Sequence, residues 1–142
     1  MNGANTERVL LSGVRGELAA EALRSGLTIE LPVAGVSMLP LLRAGDVLTI
    51  VPARASSLRE NDLAFAVRED GARVVHRVIA TAPLTTRGDS CGGPDGPLAE
   101  VLGRVTAFTR LRVRVRLDGV FGRALSLASR YLGRLRRYPD RD

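Results

Sequence analysis

The chain has few side chains able to do chemistry, so each can be weighed. It carries one histidine, His76, one cysteine, Cys91, and no lysine: all 21 of its basic residues are arginine. Ser37 sits in Gly35-Val36-Ser37-Met38-Leu39-Pro40, where a glycine and a proline pin the backbone and would hold the hydroxyl at a fixed angle. A serine beside a turn also serves as a cap or a turn former. A serine used as a nucleophile needs a neighbouring base, and the base needs an orienting group. His76 lies in the apolar run VVHRVI and is either a hydrogen-bonded structural group or that base. Asp89 and Asp95 stand six residues apart in RGDSCGGPDG, on a loop that leaves the strand after the histidine strand. Carboxylates in such loops satisfy loop N–H groups, bind calcium or face water, and either one could also reach the imidazole and hold its tautomer. Serine, histidine and aspartate in these roles recur on unrelated folds and are recognised by geometry. Cys91 would compete with Ser37 for the same base and reads more simply as a loop thiol among glycines. One histidine and one cysteine leave only carboxylates to complete a metal shell, so no metal and no cofactor is expected.

The elements that must position these residues are legible from periodicity. Residues 7–24 repeat Val9, Leu10, Val14, Leu18, Ala19 and Leu23 at helical spacing, and Gly26 follows as a stop. From Leu27 the pattern becomes alternating and β-branched. Strands are predicted at 27–33, 46–52, 60–70, 72–82 and 84–90, with a hairpin at Asp70-Gly71 and an irregular segment at 90–97. Residues 99–117 supply one or two further strands, and RLRVRVRL alternates without a break. Helical spacing returns over 121–137 through Phe121, Leu125, Leu127, Ala128, Tyr131, Leu132 and Leu135, with arginines on the other faces. The expectation is one mainly β, antiparallel unit with an amphipathic helix at each end: an N-terminal helix in 1–26, a β domain over 27–118 and a basic C-terminal helix in 119–142.

The bulk properties exclude some classes. With 142 residues and 45% hydrophobic content the chain can bury a modest core. A net charge of +6 raises nucleic acid as a partner, but the excess lies from Arg110 onward and no helix-turn-helix pattern, zinc spacing or aromatic platform accompanies it, so none is expected. The longest apolar stretch, 31–42, is broken by Pro32, Gly35 and Pro40 and falls short of the ~18–20 residues a spanning helix needs. No secretory signal pattern opens the chain.

Three segments are similar to one family. GVSMLPLLRAGD resembles the serine box of type I signal peptidases. VVHRVIA resembles the second box of the endoplasmic-reticulum and archaeal branch, in which histidine replaces the lysine base. TRGDSCGGPDG resembles the final box of that branch, a Gly-Asp followed six residues later by a second Asp. The three occur in order and cover residues 33–97. The resemblance implies a folded β-sheet domain like those of signal peptidases and SOS-repressor proteases. It implies a serine endopeptidase with Ser37 as nucleophile, His76 as general base, Asp95 as orienting acid and Asp89 as a second carboxylate of the site. Gly35, Met38 and Pro40 would shape the substrate-binding surface, and the substrate would be an extended peptide or precursor protein with small side chains before the scissile bond. The absence of lysine rules out a Ser–Lys mechanism in this chain. A catalytically inactive or self-processing peptide-binding regulator of the same fold is the second reading. Family members usually carry a membrane helix, whereas both ends here read as amphipathic, which points to a cytoplasmic or peripheral membrane location. The 121–137 helix could lie on an anionic membrane, although packing of its apolar face on the β domain, with its arginines solvated, is the favoured expectation.

Overall fold

The computed structural model describes residues 15–135. A helix, α1, occupies 15–24. Strands follow at β1 (Ile29–Pro32), β2 (Val47–Pro52), β3 (Leu63–Arg68), β4 (Arg73–Thr81), β5 (Leu84–Arg87), β6 (Leu98–Arg110) and β7 (Val113–Arg116), and the helix α2 (Val120–Leu135) comes last. The seven strands form one antiparallel sheet in the spatial order β1-β2-β6-β3-β4-β5, with β7 also paired to β6. The mainly β, antiparallel expectation is met. Residues 7–14 of the expected first helix lie outside the described residues.

Local chemistry explains the boundaries. α1 stops where Gly26 takes φ 88° and Leu27 N–H bonds the Ala22 carbonyl at 2.9 Å, the 6→1 bond of a Schellman motif. In β2, Leu48 and Ile50 point inward and Val47 and Thr49 outward, the period of two that a strand imposes. Leu48, Ile50, Leu63, Phe65, Leu102, Val105 and Phe108 of the sheet pack against Ala19, Ala20 and Leu23 of α1 and against Met38, Leu41 and Leu42 of the serine segment. Each fully buried side chain of this kind contributes about 1.5–3 kcal/mol. A smaller cluster holds Leu58, Ala64 and Val78. The segment that carries Ser37 is thus anchored in the core by the residues that follow it.

Of the one or two strands expected over 99–117 the structure has two, β6 and β7, and the alternating run RLRVRVRL is divided between them. Leu111 and Arg112 take φ 49° and 67° and form the tight turn between β6 and β7. Paired positive φ values suit a two-residue hairpin, but Asn and Gly adopt them far more easily than Leu and Arg. One expectation is corrected, and it concerns α2. Its buried residues are Gly122, Ser126, Ser129 and Gly133, while Phe121, Leu125, Leu127, Tyr131, Leu132 and Leu135 are exposed. The favoured expectation put the apolar face on the domain; the small, polar face is there instead.

Candidate active site

His76 and Arg77 are neighbours on β4, so the pleat turns them to opposite faces of the sheet. On the His76 face, Ala64 of β3 is its register partner, and Val78 pairs with Thr86 of β5. His76 is buried. Its Nε2 lies 3.0 Å from Ser37 Oγ and its Nδ1 lies 2.6 Å from Asp95 Oδ2. A carboxylate oxygen only accepts, so Nδ1 carries the proton and Nε2 offers its lone pair to the serine hydroxyl. Thr86 Oγ1 donates to the same Asp95 oxygen at 2.6 Å, and Asp95 N–H bonds the Thr86 carbonyl at 2.9 Å. The loop carboxylate is thereby fixed at both its side chain and its backbone.

Arg77, on the other face, is wholly buried and uses all five of its N–H groups. Nε and Nη2 donate to the two oxygens of Asp89 at 2.7 and 2.8 Å. The others reach the Asn61 carbonyl, Ser126 Oγ and the Ser126 carbonyl. Ser129 Oγ donates to Asp89 at 2.6 Å and accepts the Leu41 N–H at 3.1 Å. One loop therefore supplies a carboxylate to each face: Asp95 to the imidazole and Asp89 to the guanidinium. Asp89, expected among the catalytic groups, joins a buried ion pair with Arg77 and not the Ser37–His76–Asp95 chain.

The serine segment is held from behind. Ser90 N–H donates to the Ser37 carbonyl at 3.0 Å, and Ser90 Oγ donates to the Val36 carbonyl at 2.6 Å. Gly88 lies so close that a Cβ there would stand 2.7 Å from the Ser37 carbonyl oxygen and 3.0 Å from Ser37 Cβ. Gly35 is exposed at φ 112°, a conformation that favours glycine although there is open space around it. Pro40 is half-buried, and Met38 is buried in the main core, where it anchors Ser37 rather than facing outward. Asp46 of the same segment accepts from Arg43 N–H and, through both oxygens, from Arg110. Burial pushes its carboxyl up, but the bonds from Arg110 and Arg43 outweigh this and hold it below the usual carboxylate range.

No family model, curated protein or solved structure matches the chain. Among the described residues no group of three or more His, Cys, Asp or Glu side chains is placed to hold a metal ion, and no helix is long and apolar enough to cross a membrane. Cys91 is half-buried in the loop, and its N–H bonds the Gly88 carbonyl at 3.0 Å.

Sequence reasoning missed Thr86, Gly88, Ser90, Arg77 and Ser129. Only Arg77 left a signal, a charge inside an apolar strand directly after the histidine. Such a charge is almost never buried unless it is paired, so it called for an acidic partner.

Proposed function

We propose that the chain is a serine endopeptidase of the type I signal peptidase superfamily, in the branch with a histidine base. The observation that carries the enzyme reading is the hydrogen-bonded line from Ser37 Oγ through His76 to Asp95, with contacts of 3.0 and 2.6 Å; the family part of the reading rests on the three resembling sequence segments and their order. A buried structural histidine would pair both ring nitrogens too, so the identity and placement of the partners distinguish the two readings. Here one nitrogen is oriented by a fixed carboxylate and the other is aimed at a hydroxyl on a glycine-flanked turn, the arrangement that activates a serine.

The chemistry follows from these atoms. Ser37 Oγ attacks the scissile carbonyl carbon while Nε2 of His76 takes the hydroxyl proton. Asp95 stabilises the imidazolium that forms. The Ser37 backbone N–H donates to no acceptor among the described residues, which leaves it free for the developing oxyanion. When the tetrahedral intermediate collapses, the C–N bond breaks and Nε2 returns the proton to the leaving amine. Water, activated by the same imidazole, then releases the acid and restores the serine. In this reading Gly35 admits an extended substrate backbone beside the serine segment, and the fold is the signal-peptidase-like β domain.

The test is reaction with an organophosphonate reagent that modifies only activated serine hydroxyls, read by intact mass and peptide mapping, alongside cleavage of a peptide library with small residues before varied bonds. The expected result is a single adduct at Ser37 and cleavage that Ser37→Ala and His76→Ala each abolish while their melting transitions persist. Cleavage by purified Ser37→Ala would overturn the mechanism.

A further inference from the structure

We infer that the outer face of α2 is a docking surface for an anionic lipid bilayer. The helix is seated by its smallest side chains. Cβ atoms built at Gly122 and Gly133 would lie 1.8 Å from the Arg116 carbonyl oxygen and 2.2 Å from the Asp89 carbonyl oxygen. The hydroxyls of Ser126 and Ser129, on the same face, bond Arg77 and Asp89. This contact fixes the rotation of the helix. At so close an approach no leucine of α2 could be turned inward.

The opposite side is therefore apolar, and no described residue covers it. Phe121, Leu125, Leu132 and Leu135 recur on one stripe with Val120, Leu127 and Tyr131 beside them, and Phe121 and Leu135 are 78% and 82% exposed. An exposed stripe running the length of a helix of about 24 Å exceeds the scattered apolar residues of an ordinary surface. Its charge selects the occupant. α2 contains no acidic residue; Arg123 and Arg134 are exposed beside the stripe, while Arg130 is tied back to Glu60 and Asn61. Residues 110–142 hold ten arginines against three aspartates, more than the whole net charge of +6. A second copy meeting this face through its own α2 would bring arginine against arginine with no carboxylate on either helix. A bilayer of anionic lipids offers negative headgroups at the level of the guanidinium groups and hydrocarbon beneath them, which matches an apolar stripe edged by arginine.

The inference does not depend on the peptidase reading, because binding is measured without substrate. The full chain is floated with vesicles of phosphatidylcholine alone or with about 30% phosphatidylserine, at low and raised salt. The expected result is flotation only with the anionic vesicles, weakened by salt. Phe121→Ser/Leu132→Ser abolishes flotation, and Arg123→Gln/Arg134→Gln lowers partitioning about 30-fold. Since all four residues are exposed, an unchanged melting curve verifies the fold of each variant. Three outcomes would overturn the inference: no flotation with anionic vesicles, equal flotation with both kinds, or Phe121→Ser/Leu132→Ser floating as well as the parent. Sedimentation velocity supplies a fourth, a dimer that the Phe121→Ser/Leu132→Ser pair dissociates, which would assign the face to a second copy.

Discussion

Asp95→Asn isolates the carboxylate's role. The substitution keeps the shape of the side chain and removes its charge. His76 and Asp95 side chains are 8% and 5% exposed and meet at 2.6 Å, so the imidazolium formed during attack is stabilised with little help from solvent. At an effective dielectric of about 20 and a charge separation of about 4 Å, the lost attraction is about 4 kcal/mol, or about a thousandfold in rate. The amide can also present an N–H to Nδ1. That forces the imidazole into the tautomer whose Nε2 carries the proton and cannot receive one, which pushes the loss toward about 10⁴-fold. The assay is the second-order rate of organophosphonate modification at Ser37, followed by intact mass, because that reaction uses the same proton transfer. Urea unfolding of the same sample controls for the fold. A rate within about tenfold of the parent, with the unfolding midpoint unchanged, would refute the orienting role of Asp95.

Asp89→Asn should separate the two carboxylates: it leaves Arg77 buried against half a partner and costs about 3–5 kcal/mol, read as a lower urea midpoint. Gly88→Ala forces the new methyl against the Ser37 carbonyl at 2.7 Å; a serine displaced by about 1 Å reacts about 100-fold more slowly, measured by the same modification rate on the fraction that urea unfolding shows to be folded, with the midpoint itself lowered by the clash. Replacing Leu111 and Arg112 by Asn and Gly should raise stability by about 1–2 kcal/mol, because both native residues hold positive φ values, and a melting temperature that does not rise contradicts the turn. Asp46→Asn removes a carboxylate whose protonation is held below the usual range by Arg110 and Arg43 in spite of burial. Its contribution of about 2 kcal/mol is present above the unfolded value near pH 4 and fades as pH falls through the lower folded value. The gap between parent and variant urea midpoints should therefore be widest at neutral pH and close in acid; a gap that widens in acid would contradict the sign.

Some features of this chain follow from its sequence alone. Strand alternation, the glycine stop at Gly26 and the turn signal at Asp70-Gly71 depend on neighbours within a few residues, so the mainly β architecture was legible. So were Ser37 and His76, because one histidine and a glycine-bounded serine left few candidates, with Asp89 and Asp95 as two loop carboxylates either of which could orient the base. Other features depended on contacts between distant segments. Asp89 and Asp95 share one loop and one chemistry, and only the pleat of β4, which turns His76 and Arg77 to opposite faces, decides which carboxylate each receives. The turn at Leu111–Arg112 hides in perfect alternation because pairing with β6 imposes positive φ on residues that do not prefer it. The rotation of α2 inverts what its apolar periodicity predicts. Periodicity reports how wide the apolar face is, but the fit of Gly122 and Gly133 against backbone carbonyls, and the hydroxyls of Ser126 and Ser129 on a buried ion pair, decides which face turns inward.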